Sequence, residues 1–223
     1  MLKAILFDID GTLVDSNDFH ILAWAEAFKQ AGHEFRLAEI HEQVGKGGDN
    51  LLPALLPDIG EEETERLKKA HGELFKQHYF NRLKPFPGAR ELLQRCRDTG
   101  YTVVLASSAS GEELRHHLDD VLGVRDLVDE FTSADDVGCS KPCPDIFVTA
   151  AQKAKVAPDE ALVIGDTPYD IEAASKAGIR TVGVRSGGFR DDQLSGAIAI
   201  FDDVAELLER FDASPLSRVE EQV

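Results

Sequence analysis

Two carboxylates at the end of a short apolar run are the sharpest chemical signal in the sequence. Residues 4–7 (Ala-Ile-Leu-Phe) are apolar, and residues 8–12 (Asp-Ile-Asp-Gly-Thr) follow directly. In extended backbone, residues two apart face the same side, so Asp8 and Asp10 are expected to point at one place. Like charges so close are costly unless a cation lies between them or one of them is protonated. The pattern predicts a metal or proton-transfer site, and the alternative is a turn with solvated acids.

A second acidic segment ends another apolar run. Residues 165–170 (Gly-Asp-Thr-Pro-Tyr-Asp) open a predicted helix, with Pro168 in its first turn. Asp166 at a strand end is a hard oxygen ligand of the kind that magnesium accepts. Asp170, one helical turn later, would hold a metal-bound water or a neighbouring lysine. The alternative is that Asp166 only caps the helix, but beside the first motif we favour the metal.

One lysine and a pair of serines complete the set of chemically useful residues. Lys141 lies in a proline-containing turn before a predicted helix, where it would neutralise two carboxylates and a phosphoryl group. The alternative is a surface lysine, the usual fate of this residue type. Ser107 and Ser108 follow an apolar run, and their hydroxyl and backbone N–H groups would bind phosphate oxygens. Two adjacent serines are weak support when taken alone.

Alternating apolar runs and helical patterns would position these side chains. Buried strands are predicted at residues 4–7, 103–106, 161–164, 179–184 and 197–201. Helices are predicted at about 88–99, 111–122, 144–155, 168–177 and 203–211. This alternation predicts an α/β fold with a doubly wound, Rossmann-like parallel sheet. Ligands bind at the carboxyl ends of the strands in such sheets, which is where the polar residues fall.

Residues 15–84 interrupt the alternation, with several predicted helices and no convincing strand. Helical stretches fall at about 18–31, 37–44, 49–56 and 61–80, with linkers near 13–17 and 81–87. We predict a helical cap domain at 15–84, inserted into a catalytic core made of residues 1–14 and 85–223. Residues 212–223 are expected to form a frayed tail.

Composition excludes several function classes. The 223-residue chain has a net charge of −17, which argues against nucleic acid and anionic membrane as partners. The longest apolar runs fall short of the ~20 residues of a membrane span, and the chain enters a strand pattern at once, so we expect no signal peptide. The three cysteines, Cys96, Cys139 and Cys143, predict no disulfide framework and no zinc set. A reducing cytoplasmic location is therefore expected.

The four polar segments, in this order and spacing, resemble the haloacid dehalogenase superfamily of phosphatases. The resemblance covers nearly the whole chain, and the helical insertion resembles the subclass with an α-helical cap, in the β-phosphoglucomutase and phosphoglycolate phosphatase branch. It implies that Asp8 is the nucleophile and Asp10 the general acid and base. It implies that Ser107 binds the phosphoryl group and that Lys141 neutralises charge. Asp8, the backbone carbonyl of Asp10 and Asp166 would hold Mg²⁺, with Asp170 in support, and the substrate would be a small phosphorylated metabolite.

Residues of the cap are expected to select the substrate. His20 and Trp24 share one helix face and resemble the mutase branch at this point, although plain helix packing would also explain them. Residues 45–50 (Gly-Lys-Gly-Gly-Asp-Asn) would offer Lys46 and the N–H of Gly47 to a second polar group of the substrate. A flexible turn is the alternative for this loop.

Four other activities fit parts of the pattern. A phosphomutase would use the same nucleophile and acid but return the phosphoryl group to a sugar, and Thr12, with a hydroxyl expected near Asp10, favours the phosphatase instead. A dehalogenase or a phosphonate-cleaving enzyme is disfavoured because those branches lack an acid at the position of Asp10. A non-catalytic phosphate-binding module is disfavoured by the intact Asp8, Asp10, Lys141 and Asp166. The sequence gives no information on the individual substrate, whether a sugar phosphate, a polyol phosphate or phosphoglycolate, or on the oligomeric state.

Overall fold

A six-stranded parallel sheet forms the centre of the protein, whose computed structural model describes residues 1–217. The strands are β1 (Ala4–Phe7), β2 (Val14–Asp15), β3 (Lys84–Pro85), β4 (Thr102–Ala106), β5 (Glu130–Thr132), β6 (Ala161–Gly165), β7 (Arg180–Val184) and β8 (Ala199–Phe201). The large sheet has the order β5-β4-β1-β6-β7-β8, and every neighbouring pair is parallel. The two short strands β2 and β3 form a separate antiparallel pair.

Helices connect these strands. They are α1 (Asn17–Gln30), α2 (Leu37–His41), α3 (Gly48–Leu55), α4 (Glu61–His78), α5 (Ala89–Asp98), α6 (Gly111–His116), α7 (Asp145–Ala154), α8 (Pro168–Lys176) and α9 (Val204–Glu209). Helix α6 continues into a π-helical turn at His117–Val121. Short 3₁₀ turns lie at Phe80–Arg82, Ala134–Asp136, Pro158–Glu160, Arg185–Gly187 and Phe211–Ala213.

Both faces of the sheet are covered, which explains the continuous apolar strands. Ile5 and Phe7 point to the face covered by α5 and α9, whereas Leu6 points to the face covered by α7 and α8. Because side chains alternate between faces along a strand, a strand buried on both sides has no polar position. The predicted α/β fold with a doubly wound parallel sheet is therefore confirmed.

Some elements differ from the prediction in extent. Strand β5 was not predicted, since its three residues are too short to give a periodic signal and lie at the sheet edge. The predicted strand at 197–201 is confined to Ala199–Phe201, and the predicted helix at 111–122 keeps α-helical form only to His116. The short strands β2 and β3 were not predicted either, and they fall in the predicted linkers. The remaining strands and helices lie within a few residues of their predicted bounds.

Helices α1–α4 form an insert between β2 and β3, which we call the helical insert. It has an apolar cluster of its own, which includes Phe28, Ile40 and Leu52. Its side chains also reach the main core, because Ala23 and Phe75 pack with the residues under the sheet. The division into a cap at 15–84 and a two-part core stays a prediction.

Two expectations from the sequence are wrong. Cys139 and Cys143 form a disulfide with a Cα–Cα distance of 5.8 Å, because the turn between them folds the chain back on itself. The tail is not frayed at 212–217: Ser214 and Leu216 are buried, and the hydroxyl of Tyr101 donates to the Leu216 carbonyl at 2.7 Å. The rest of the predicted tail lies outside the described residues.

Candidate active site

Three predicted site residues follow directly after neighbouring strands. Asp8 follows β1, Ser107 follows β4 and Asp166 follows β6. Strand β1 lies between the other two, and Phe7 is in register with Leu105 and Ile164. Their side chains therefore meet at the carboxyl edge of the sheet, as the sequence predicted for this fold.

Asp8, Asp166 and Asp170 form what we call the carboxylate cluster. One oxygen of each lies within 4.8 Å of the others, and all three side chains are buried. The Lys141 amine, itself only 1% exposed, contacts Asp8 Oδ1 and lies 2.6 Å from Asp170 Oδ1. The structure thus brings together four of the five residues predicted for charge neutralisation and metal binding, although the sequence separates them widely; the fifth, Asp10, follows two residues after Asp8.

The cluster has more negative charge than one lysine balances. Burial raises the pKa of Asp8 to about 7, with Lys141 opposing the shift and Asp170 adding to it. Burial, with the charges of Asp8 and Asp170, also raises the pKa of Asp166 well above its usual value. The lysine stays protonated, since the two carboxylates raise its pKa despite its burial. A divalent cation would supply the missing positive charge.

The surroundings of Asp166 fit such a cation. Asn17 Nδ2 donates to Asp166 Oδ2 and Thr12 Oγ1 donates to Asp166 Oδ1, both at 2.9 Å, so the carboxylate is fixed in orientation. Two glycines leave it space: a Cβ at Gly187 would lie 1.8 Å from Asp166 Oδ2, and one at Gly11 would lie 2.2 Å from it. An all-oxygen set of this kind suits Mg²⁺. The hydroxyl of Thr12, which was expected near Asp10, thus hydrogen-bonds to Asp166, with Asp8 Oδ2 at 3.3 Å.

Asp10 has the opposite electrostatic setting from Asp8. Its Oδ1 accepts from Ser16 Oγ at 2.7 Å and lies 3.3 Å from His20 Nε2, and its Oδ2 accepts from Ser107 Oγ at 3.3 Å. Burial opposes ionisation, but His117, His20 and the Ser16 hydroxyl together hold the pKa of Asp10 well below its usual range. These donors therefore hold Asp10 in its ionised form.

His20 belongs to a short chain of rings in the helical insert. Its Nδ1 lies 3.3 Å from His71 Nε2, and its ring stacks on Phe75 with centroids 3.9 Å apart. His71 in turn stacks on Trp24 at 4.1 Å. Burial lowers the pKa of His20, but the hydrogen bond and charge of Asp10 outweigh it and raise the value overall; burial and His20 together lower that of His71. Of these two histidines, His20 is thus the more readily protonated, and its Nε2 faces Asp10.

A cavity of about 490 Å³ opens over Asp8 and Asp10. The insert contributes one side of it through His20, Trp24, Lys46, Gly47 and His71, and the core contributes Ser108 and Lys141 to the other. Ser107 lies beneath, buried and bonded to Asp10, whereas the buried Ser108 hydroxyl has no hydrogen-bond partner within residues 1–217. Ser107 therefore contacts Asp10 below the cavity, whereas Ser108 lines the cavity itself.

Lys46 and Gly47 lie where the insert meets the core. The Lys46 amine donates to Gln43 Oε1 at 2.6 Å and lies 4.6 Å from the centre of the Tyr169 ring, and burial lowers its pKa. A Cβ on Gly47 would lie 2.1 Å from Ser140 Oγ, so only glycine allows this close approach. The loop is thus a packed contact and not a plain flexible turn.

Sequence reasoning missed several residues of the site. They are Asn17 at Asp166, His71 behind His20, His117 with its Nε2 3.8 Å from Asp10 Oδ1, and Asp49 and Asn50 at the loop that carries Lys141. Each partner is distant along the chain, so no local spacing points to the contact. Within the described part of the chain, no hydrogen-bond partner reaches either ring nitrogen of the buried His117.

Comparisons with known proteins agree with this geometry. Residues 2–178 match the family model described as haloacid dehalogenase-like hydrolase. A phosphoglycolate phosphatase of Aquifex aeolicus is 31% identical over 81% of this chain and 83% of its own length. A glyceraldehyde 3-phosphate phosphatase of Methanopyrus kandleri is 31% identical over 86% of this chain and 87% of its own. The crystal structure of a hydrolase from Pseudomonas syringae superposes with a TM-score of 0.89 at 31% identity, covering 95% of this chain and 98% of that one.

Proposed function

The chain belongs to the haloacid dehalogenase-like hydrolase family, and we propose that within it the protein is a magnesium-dependent phosphatase that works through an aspartyl-phosphate on Asp8. The observation that carries the proposal is the carboxylate cluster with its buried lysine, placed at the strand ends beside Asp10. The names of the two relatives above support a phosphorylated metabolite of low molecular mass as substrate.

Asp8 is the proposed nucleophile. Its carboxylate lies at the floor of the cavity, next to a lysine that stays charged. Attack on the phosphoryl group splits hydrolysis into two easier displacements, through a covalent intermediate on Asp8. Lys141 stabilises the negative charge of the transferring oxygens. Ser108 lines the cavity, and its buried hydroxyl, which has no hydrogen-bond partner within residues 1–217, would bind these oxygens after turning towards the cavity.

Asp166, with Asp8 and the backbone carbonyl of Asp10, is proposed to hold Mg²⁺, and Asp170 supports the site through Lys141. The bound ion would neutralise the developing charge and align the phosphoryl group with Asp8. Asn17 and Thr12 act here through Asp166, since their hydrogen bonds fix the direction in which its oxygens point.

Asp10 is proposed as the general acid and base. Asp10 is ionised in the structure, so in the first step it would take a proton from His20, whose Nε2 lies 3.3 Å away, and give it to the leaving alkoxide. In the second step its carboxylate takes a proton from water. His20 stabilises the ionised form from the insert side, whereas burial lowers the pKa of His117, which lies 3.8 Å from Asp10 Oδ1 on the core side. Ser107 and Ser16 hold the carboxylate in place by hydrogen bonds.

The insert, predicted as a cap at 15–84, is proposed to be a mobile lid that selects the substrate. Lids that close on substrate exclude water and complete a site. The rings of His20 and Trp24 and the amine of Lys46 face the same cavity as the nucleophile. Lys46 is proposed to contact the part of the substrate that is not transferred, and sugar phosphates, polyol phosphates and phosphoglycolate are all candidates.

The experiment that tests this proposal is the release of phosphate from a generic aryl phosphate, with and without Mg²⁺, followed by a panel of phosphorylated metabolites. Excess chelator should abolish turnover, and Asp166→Ala should weaken metal dependence and rate together. Asp159→Ala, on an exposed turn, is the matched control and should behave as wild type. Full activity in chelator would contradict the proposal.

A phosphomutase is the second candidate because His20 and Trp24 do line the cavity. The two activities are separated by incubating the enzyme with β-glucose 1-phosphate and a trace of the 1,6-bisphosphate. Free phosphate without glucose 6-phosphate supports the phosphatase. Rapid isomerisation with little free phosphate would replace it by the mutase.

A further inference from the structure

We propose that the Cys139–Cys143 pair is a thiol–disulfide modification site that controls the alignment of Lys141, and through it the activity, in response to a dithiol reductant. The inference rests on the proposed function for its effect on rate. The disulfide joins residues on either side of Lys141 and closes a small ring around the turn that carries this lysine. The turn also contains a backbone bond from the Cys143 N–H to the Ser140 carbonyl at 3.0 Å.

This turn is where the core and the helical insert meet. The Ser140 N–H donates to Asp49 Oδ2 at 3.1 Å, and Asn50 Nδ2 donates to the Ser140 carbonyl at 2.9 Å and the Lys141 carbonyl at 3.3 Å. All of these hydrogen bonds join the turn to residues in the first turn of α3. The conformation of the turn therefore determines how closely Lys141 approaches Asp8. It also determines where α3 packs on the core.

The disulfide is open to an external reductant. Cys139 lines the cavity over the nucleophile, and both cysteines are half-buried, whereas Cys96 is buried in the core. Burial raises the pKa of the Cys96 thiol to about 12, so this third cysteine is a poor partner for exchange. The reactive pair is thus separated in space and in chemistry from the only other cysteine of the sequence.

Reduction is a two-step exchange with a dithiol. A thiolate of the reductant attacks Cys139 Sγ, the bond between the two Sγ atoms breaks, and Cys143 leaves as a thiolate that takes up a proton. The second thiol of the reductant then displaces Cys139, which is released as a thiol, and the reductant departs as a disulfide. Without the covalent link the turn gains conformational freedom. The position of Lys141 and the packing of α3 against the turn are then no longer fixed.

The test compares the oxidised and the dithiol-reduced full-length protein, with the state of each cysteine determined by alkylation and mass spectrometry. Hydrolysis of an aryl phosphate should fall at least about fivefold in kcat/KM on reduction, a usual size for coupling between two sites, and return on reoxidation. Cys139→Ser/Cys143→Ser should remain at the reduced level under both conditions. Cys96→Ala, the matched control, should still respond to the dithiol.

Hydrogen exchange gives a readout that does not depend on catalysis. Amides of residues 139–145 and 47–52 should exchange faster after reduction in wild type, and equally fast under both conditions in the double variant. If the protein did not hydrolyse an aryl phosphate, the proposed phosphatase activity would be contradicted. The amide hydrogen-exchange rates would still test the redox proposal. Free thiols at both positions after oxidation, or exchange and rate unchanged by reduction, would overturn it.

Discussion

The cavity has two sides that are built in different ways. The carboxylate cluster on the core side lies at strand ends, and the sheet fixes the relative positions of its members. The opposite side, which we call the insert wall, consists of His20, Trp24, Lys46 and His71 on the helical insert. The first side carries buried carboxylates and Lys141, whereas the second combines stacked rings with lysines. In the proposed function the core supplies the chemistry and the insert supplies the contacts around it.

Polar and aromatic contacts away from the cavity also join the insert to the core. His41 Nε2 lies 2.9 Å from the Gly187 carbonyl, and its ring stacks on Phe189 at 4.8 Å. The hydroxyl of Tyr169 donates to the carbonyl of Glu42. In the proposed lid movement these contacts would break, while the hydrogen-bonded sheet would hold the cluster in place. Substitutions in the cluster should therefore lower kcat for every substrate, and those in the insert wall should change KM for the natural one.

The largest expected effect is at the nucleophile. Asp8→Asn should lose essentially all turnover on any substrate, because an amide cannot form the phosphoryl intermediate. Phosphate release measures the loss, and trapping with beryllium fluoride should label wild type at Asp8 but not the variant. Asp159→Asn on the exposed turn should keep normal rates. Normal turnover of Asp8→Asn would rule out the covalent mechanism.

A smaller loss is expected at Asp10, which contacts both sides. Asp10→Asn should slow turnover by ~10²–10⁴, the usual contribution of a general acid and base. Single-turnover kinetics should show slow formation and slow discharge of the phosphoryl intermediate alike. If the variant raised KM without lowering kcat, Asp10 would act in substrate binding, like the insert wall. The proposed difference between the two sides would then be contradicted at this residue.

The pH dependence of stability should separate the cluster from the insert wall without substrate. The pKa of Asp8 rises on folding from 3.8 to about 7, so between these pH values the folded protein binds more protons than the unfolded chain. The free energy of unfolding of the metal-free protein should then fall, by about a few kcal/mol, as pH rises through this window. Urea titrations at several pH values measure it.

Two further measurements assign that slope to the cluster. Asp8→Asn should reduce the slope, and Asp166, whose pKa is also raised on folding, should account for a remaining part of it. Mg²⁺ should restore stability near neutral pH, since a cation binds only the ionised carboxylates of the folded protein. His20, whose pKa is raised on folding, adds loss in the same direction, so His20→Gln is the matched control that should keep most of the slope. A slope unchanged by Asp8→Asn would contradict the electrostatic picture of the cluster.

The smallest expected effect is at Lys46 on the insert wall. Lys46→Ala should raise KM for the natural substrate about tenfold, the value of a charged hydrogen bond, and leave KM for a small aryl phosphate nearly unchanged. Lys29→Ala, at the exposed end of α1, is a matched control on the same insert. Equal effects on both substrates would mean that Lys46 contacts only the common phosphate.

The sequence by itself determined the sheet and the identity of the strand-end acids. Short apolar runs that alternate with helical patterns favour strands covered on both faces, and parallel strands bring their carboxyl ends to one edge. Once β1 and β6 are recognised, Asp8 and Asp166 must meet there, whatever lies between them in the chain. Residues 4–12 and 161–170 were therefore enough to predict the core of the candidate site.

Only the tertiary structure decided which groups tune that site. His117 lies on a helix that carries no motif, and it meets Asp10 because α6 ends in a π-helical turn at that point. Asn17 reaches Asp166 across 149 residues. Cys139 and Cys143 pair because a turn folds back on itself. Such contacts depend on distances between separate elements, and a sequence pattern encodes the period of one element but not its packing against another.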